Sequence, residues 1–205
     1  MIGIIDYGVG NVYSLCSSLH SLGAEVNVSN DPQLLRRADQ LILPGVGAFA
    51  DAAYKLSQTG LDTLIREQVN NGVSLLGICL GMQLLFDRSE EFGIHAGLGL
   101  IPGVVVAMQG RIPADLKIPH IGWNALHITR NSSLLRGIQE GDCVYFVHSF
   151  FASECAQDVI ATTEYGCPIT AAVQKGNLYG CQFHPEKSGK VGLAILRAFC
   201  EGDSV

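Results

Sequence analysis

The chain has 205 residues, 48% of them hydrophobic and 16% charged, which suits one α/β-sized domain over 1–205 and excludes a disordered or fibrous chain. Its formal net charge of −6, without a Lys/Arg run, lacks the electrostatic footprint of a nucleic-acid binder.

The first half alternates strand and helix signals. Ile2–Ile5 is a short apolar run ending in the Gly-rich turn Gly8-Val9-Gly10-Asn11. Val12, Leu15, Leu19 and Leu22 follow at helical spacing, and Gly23 stops them. Strands are expected over 25–28 and at Gln40–Leu43, the latter closed by Pro44-Gly45. Leu61, Leu64, Ile65 and Val69 mark a helix ending near Gly72. Ser74–Ile78 reads as a buried strand, with a helix beginning over 82–86. This alternation predicts a mostly parallel central sheet with helices on both faces.

The second half reads differently. Strands are expected over 100–108, 123–128, 144–151, 158–163, 169–174 and 178–183, linked by short turns. A last amphipathic helix over 188–200 presents Val191, Ile195, Ala198 and Phe199 inward. No linker, repeat or low-complexity segment separates the halves. The fold class predicted is therefore α/β, with an antiparallel strand extension of one domain.

The segment Gly77-Ile78-Cys79-Leu80-Gly81-Met82-Gln83 carries the strongest chemical signal. It leaves a strand and opens a helix. G-x-C-x-G is the thiol counterpart of the G-x-S-x-G nucleophile elbow, whose flanking glycines relieve crowding in a sharp, strained turn. A buried cysteine between two incidental glycines is the plainer reading, but it leaves the coincidence of strand, elbow and helix unexplained.

A cysteine nucleophile needs a base, and Gln182-Phe183-His184-Pro185-Glu186 offers one. In extended chain, residues two apart face the same way, so Glu186 can orient the His184 ring while the other ring nitrogen serves Cys79. Cys181 and His184 also suggest a metal pair, but no second pair at ligand spacing joins them, and no metal or cofactor is expected. Acyl chemistry further requires an oxyanion hole. Pro44-Gly45-Val46-Gly47 lies where α/β sheets place ligand loops, and its N–H groups can join that of Leu80; an ordinary strand-to-helix turn is the plainer reading of that loop alone.

Together these segments resemble class I, triad-type glutamine amidotransferases, and within them the glutaminase subunits of imidazole glycerol phosphate synthases. Asp6-Tyr7-Gly8-Val9-Gly10-Asn11, Leu43-Pro44-Gly45-Val46-Gly47 and the Cys79 segment match in order. So do Pro119-His120-Ile121-Gly122-Trp123-Asn124, Tyr145-Phe146-Val147-His148-Ser149 and the segment from Gln182 to Ser188. The resemblance spans nearly the whole chain. It implies a triad of Cys79, His184 and Glu186, and an oxyanion hole from Gly45, Val46, Gly47 and Leu80. It implies glutamine binding by Gln83, Glu91 and the Ser149-Phe150 backbone. Phe150 stands where relatives often carry Tyr. Asn11, Trp123, Tyr145 and Lys187 are implied to face a barrel-shaped cyclase subunit, the partner in a heterodimer, although a lone tryptophan also suits a core position.

The mechanism that follows releases ammonia from glutamine and hands it to the cyclase, with low activity expected of the chain alone. Other possible readings are a paralogous glutaminase feeding pyridoxal phosphate or surface-sugar synthesis, a free-standing cysteine hydrolase, and an inactive scaffolding subunit. The pyridoxal type carries P-G-G-E-S at the oxyanion strand, which this chain lacks. Its 7 cysteines, odd in number and without a disulfide framework, suggest reduced thiols in the cytoplasm. The N-terminus reads as a first strand, not a signal peptide, and no apolar run reaches membrane-span length.

Overall fold

A computed structural model describes residues 1–202. In chain order the first elements are β1 (Ile2–Ile5), α1 (Val12–Ser21), β2 (Val26–Ser29), α2 (Pro32–Leu35), β3 (Gln40–Leu43), α3 (Phe49–Gln58), α4 (Leu61–Asn70), β4 (Ser74–Ile78) and α5 (Leu80–Gln83). Then come β5 (Phe86–Ser89), β6 (His95–Ala96), β7 (Ile101–Ala107), β8 (His120–Ala125) and β9 (His127–Ile128). The chain continues through β10 (Cys143–His148), β11 (Phe150–Ser153), β12 (Val159–Glu164), β13 (Pro168–Lys175), β14 (Leu178–Cys181) and α6 (Gly189–Glu201).

The main sheet has 8 strands in the order β2-β1-β3-β4-β14-β13-β12-β9. Its parallel centre is made of short apolar strands, as expected where both faces are covered. Successive residues serve opposite layers. Leu41, Leu43 and Leu75 pack with Phe49, Leu56, Leu61 and Ile65 of α3 and α4. Ile42, Leu76 and Ile78 pack with Leu15 and Leu19 of α1 and Ile195, Leu196 and Phe199 of α6. Gly3 permits the closest approach in β1: an added Cβ would lie 2.9 Å from both Ala38 Cβ and Leu41 Cδ2. Two smaller sheets, β10-β8 and β11-β7-β5-β6, stand beside the main one.

The alternating half follows the sequence expectation closely, with Gln40–Leu43 and Ser74–Ile78 as read. Four differences have physical causes. The helix expected over 82–86 begins at Leu80, directly after Cys79, and ends at Gln83. Phe86 already starts β5, and the apolar run Leu84-Leu85-Phe86 leading into it is the feature that mimicked a helix continuation. α2 and α3 were not expected. The first rests on the Asp31 side chain accepting from the Gln33 N–H, with Pro32 opening the helix, and the second on burial of Phe49, Ala52 and Leu56. The run over 144–151 breaks at Ser149 into β10 and β11, which join different sheets. Finally, β14 does not extend the sheet antiparallel. It pairs with β4 in parallel, Cys181 opposite Ile78, and only β13, β12 and β9 form the antiparallel edge. All four residues of β14 are buried, so its pattern carried no direction.

Register decides where chemistry can occur. β3, β4 and β14 run side by side in parallel, pairing Leu43 with Gly77 and Ile78 with Cys181. Their C-terminal ends release Pro44, Cys79 and Gln182 at one edge of the sheet, the edge where open α/β sheets bind ligands.

Candidate active site

Cys79 follows β4 with φ 55° and ψ −111°, a conformation that costs a non-glycine residue roughly 1–3 kcal/mol. The neighbouring glycines make it possible. A Cβ on Gly77 would lie 2.7 Å from the Gly81 carbonyl oxygen, and one on Gly81 would run into the Leu43 carbonyl oxygen. The Cys79 N–H donates to the Cys181 carbonyl at 2.7 Å, which ties the elbow to β14. Its Sγ lies 3.8 Å from Gln182 Nε2 and 4.0 Å from the Val147 carbonyl oxygen.

His184 Nδ1 lies 2.8 Å from Glu186 Oε1, both side chains being almost fully buried. With a carboxylate as acceptor, Nδ1 carries the hydrogen, so Nε2 is the basic nitrogen of the neutral ring. That Nε2 is buried and makes no full hydrogen bond, and His184 and Cys79 line the same pocket. Burial opposes the imidazolium, but interaction with the Cys79 thiol and with Glu186 outweighs it and raises the His184 pKa to about 9. Ser188 fixes the turn: its Oγ donates to the His184 carbonyl at 2.6 Å and accepts the Tyr145 N–H at 2.9 Å. The His184 N–H donates to the Tyr145 carbonyl at 2.9 Å. On the other side, a Cβ on Gly192 would run into the Pro185 carbonyl, so α6 sits directly on this turn.

In the oxyanion hole expected around the loop after β3, one donor is engaged. The Leu80 N–H is not open; it donates to the Gly45 carbonyl oxygen at 3.3 Å. Tyr7 Oη anchors the loop by donating to the Pro44 carbonyl at 2.8 Å. Beyond Gly45 the constraint relaxes: Val46 is 42% exposed, and Gly47, at φ 104°, has open space where a side chain would stand.

A cavity of about 440 Å³ opens over Cys79, within the range typical of small-molecule sites. Val46, Gly47, Leu80, Gln83, Glu91, Ser149, Phe150 and His184 line it, bringing together the residues expected to bind glutamine. Several are engaged within the protein. Gln83 Nε2 donates to the Phe150 carbonyl at 2.9 Å and to Gln182 Oε1 at 3.0 Å. Glu91 Oε2 accepts the Phe49 N–H at 2.7 Å, capping α3 where Ala48 has no capping side chain. The Ser149 carbonyl accepts the Met108 N–H at 2.9 Å. Sequence reasoning assigned no role to Phe92, Pro119, Val147 or His148, which also line the cavity. Phe92 is 91% exposed with φ 52°, its ring edge-on to Phe150 at 6.1 Å. No periodicity marks it, because it belongs to a loop. Cys181 is a separate matter: it is fully buried in the sheet, where burial pushes its thiol pKa far up.

The model of the family described as glutamine amidotransferase class-I matches residues 3–201. This chain belongs to that family. Among curated amidotransferase relatives, the imidazole glycerol phosphate synthase subunit HisH of Geobacillus kaustophilus is 52% identical over 202 residues, covering 97% of this chain and 95% of the relative. The HisH subunit of Wolinella succinogenes is 46% identical, covering 98% and 99%. Among solved structures, a glutamine amidotransferase crystal structure aligns with TM-score 0.76 at 20% identity, covering 98% of this chain and 97% of that one. PurLQS from Thermotoga maritima aligns at 0.74 and 19%, with the same coverage. At those identities the solved structures speak for the fold.

The amidotransferase also carries an exposed aromatic face. Trp123 is 63% exposed, which removes the core reading, and it stands opposite Tyr145 in the β8–β10 ladder with ring centroids 4.9 Å apart. Lys187 Nζ lies 5.7 Å from the centre of the Tyr145 ring. Asn11 is exposed and caps α1, its Oδ1 accepting the Ser14 N–H at 3.4 Å. It borders a small void behind the oxyanion loop together with Pro44, Gly45, His184 and Glu186.

Proposed function

We propose that this chain is the glutaminase subunit of an imidazole glycerol phosphate synthase, releasing ammonia from L-glutamine for a cyclase partner in histidine biosynthesis. The observation that carries the chemistry is Cys79 on a strained elbow, sharing one pocket with a buried His184–Glu186 pair. The relatives at 46% and 52% identity, both HisH subunits, support the pathway and the partner.

Cys79 Sγ attacks the side-chain amide carbon of glutamine, and His184 Nε2 takes the thiol proton. Its raised pKa suits His184 to hold that proton until the tetrahedral intermediate collapses, when it protonates the departing nitrogen. Water, deprotonated by the same nitrogen, then cleaves the glutamyl thioester to glutamate. Glu186 keeps the ring in the tautomer that both steps need. Gln83, with Nε2 already committed, offers its carbonyl oxygen to the substrate ammonium group, and Glu91 adds a carboxylate beside it.

The intermediate's oxyanion needs the Leu80 N–H, which Gly45 occupies. Turning the Gly45–Val46 peptide over withdraws that carbonyl and presents the Val46 N–H in its place. Exposed Val46 and unhindered Gly47 give the loop room for this. The isolated chain is thus a resting form, and the cyclase, docking on the face formed by Asn11, Trp123, Tyr145 and Lys187, sets the loop. The partner receives the ammonia, which bulk water would protonate, and holds the nucleotide phosphates; its products are imidazole glycerol phosphate and an aminoimidazole carboxamide ribotide. All seven cysteines are free, and no helix among the described residues is long and apolar enough to cross a membrane, which supports a cytoplasmic setting.

The test is glutamate production by the chain alone, then with the cyclase from the same genome, then with its nucleotide ligand added. The expected rise is ~10²–10³-fold, the effect of one oxyanion donor. A full rate from the chain alone overturns the dependence on a partner, and no glutamate under any condition overturns the glutaminase itself.

A further inference from the structure

A pair of histidines is unused by the chemistry above, and one of them, His148, lines the pocket. His120 and His148 are both buried and face each other across the β8–β10 ladder. His120 Nδ1 lies 3.1 Å from His148 Nε2. At one end of this chain, His148 Nδ1 lies 2.9 Å from the Phe150 carbonyl oxygen, which also receives Gln83 Nε2 at 2.9 Å. At the other end, His120 Nε2 lies 2.8 Å from Asn124 Oδ1, and Asn124 Nδ2 donates to the exposed Glu164 carbonyl at 3.3 Å.

Counting protons assigns the tautomers. The Phe150 carbonyl only accepts, so His148 Nδ1 carries a hydrogen. A neutral imidazole has one, so His148 Nε2 accepts and His120 Nδ1 donates. His120 Nε2 is then bare and needs a donor, which Asn124 supplies by turning its NH₂ toward the ring; the turn gives up the long donation to the exposed Glu164 carbonyl, which water can take over. Keeping the amide oxygen there instead requires a third proton and a buried cation. The surroundings disfavour that cation. His120 is stacked between Phe146 and Tyr165, at centroid distances of 5.0 and 4.0 Å. Burial first, and the charge of His120 and of His184 after it, push His148 down to about 4, although its bond to Phe150 works the other way. Burial lowers His120 too, against its bond to Asn124. No carboxylate hydrogen-bonds to either ring among the described residues. In either state His148 Nδ1 keeps its hydrogen.

We propose that His148 is a positioning residue for glutamine binding, holding the Phe150 carbonyl jointly with Gln83, and that His120 and Asn124 form a relay that fixes the tautomer required. The proposal rests on the glutaminase reading for its substrate. His148 acts through Phe150 and Gln83, both in the pocket wall, so its loss loosens the wall around glutamine while leaving the His184–Glu186 pair intact.

Two measurements test this on the complex with the cyclase and its nucleotide ligand. Nitrogen-15 correlation spectra of the imidazoles at neutral pH should show both His120 and His148 protonated at Nδ1; a hydrogen on His148 Nε2 alone overturns the proposal. This arm uses the unaltered protein and stands even if glutamine proves not to be the substrate. In kinetics, His148→Leu should raise the KM for glutamine ~10-fold with kcat within about twofold, as expected for removing one pocket-ordering hydrogen bond. His120→Leu should raise KM by less, and His120→Asn, whose amide can still donate to His148, should restore it. An unchanged KM in His148→Leu, or equal defects in His120→Leu and His120→Asn, overturns the relay. An unaltered complex that makes no glutamate overturns the glutaminase reading instead.

Discussion

Two regions of this molecule meet at Cys79, and they are finished to different degrees. The ends of β4 and β14 carry Cys79 and the His184–Glu186 pair, buried and cross-tied by Cys181, Tyr145 and Ser188. The end of β3 carries the proposed oxyanion loop, half exposed, with the Gly45 carbonyl sitting on the Leu80 N–H that the proposed reaction needs. The difference is one of packing. α6 presses on the Pro185 turn, whereas nothing presses on Gly47. In the proposed mechanism nucleophile and base are therefore preset, and the oxyanion site is what a partner can switch.

The sharpest way to break this contrast is to remove the preset part. Cys79→Ala should lower glutamine-dependent turnover of the complex by ~10⁴-fold or more, the scale of losing a triad nucleophile. Cyclase activity fed with ammonium salt should remain, and labelling by a diazo-ketone glutamine analogue should disappear. Retained glutaminase activity would show that the elbow cysteine is not the nucleophile. The switchable part should cost less. Val46→Pro deletes the N–H that the turned peptide presents, so stimulation by the cyclase and nucleotide should fall ~10²–10³-fold. Full stimulation in that variant would mean the oxyanion is held by another group.

The same contrast governs how much the sequence disclosed. Segments on the parallel core were legible because each carries a local signal: the glycines around Cys79 and the proline between His184 and Glu186. The fold class followed from the alternation of β1 through β4. What stayed hidden depends on direction and on long-range pairing. β14 is apolar throughout, so nothing in it says that it runs parallel beside β4, yet that pairing brings His184 to Cys79. The Gly45 carbonyl on the Leu80 N–H is a backbone rotation, to which the side chains give no clue. Glu91 was assigned to the substrate; its bond to the Phe49 N–H shows a second task, invisible because α3 lies 42 residues away in the chain. His148 lies in the segment Tyr145-Phe146-Val147-His148-Ser149, but its partner His120 is 28 residues distant, and only the ladder register brings the two together.

The exposed aromatic face should respond more modestly. Trp123→Ala removes a large, already exposed ring that leans on Tyr145, so the chain itself should keep its melting temperature. Association with the cyclase should weaken by about 2 kcal/mol, or ~30-fold in Kd, as for a typical aromatic anchor at an interface. Titration calorimetry reads this directly. An unchanged Kd would move the docking face away from the β8–β10 ribbon.

The smallest expected effect is on stability, and it probes the coupling inside the preset region. The folded-state pKa of His184 is raised from 6.5 to about 9, so the folded chain holds a proton that the unfolded chain releases. Such a group contributes stability that is fully present below about 6.5 and is lost as pH rises through about 9. His148 has the opposite sign. Lowered from 6.5 to about 4, it contributes stability at neutral pH that fades as pH falls through that interval. Thermal melts of the isolated chain should therefore decline on both sides of a maximum near neutrality. In Cys79→Ala the thiol no longer supports the His184 imidazolium, while burial still opposes it. The His184 pKa should fall, and the alkaline decline should shift to lower pH or vanish, with the acid side unchanged. An alkaline limb identical in Cys79→Ala and the parent would mean that Glu186 alone holds the charge on His184, and that nucleophile and base are not electrostatically coupled before glutamine binds.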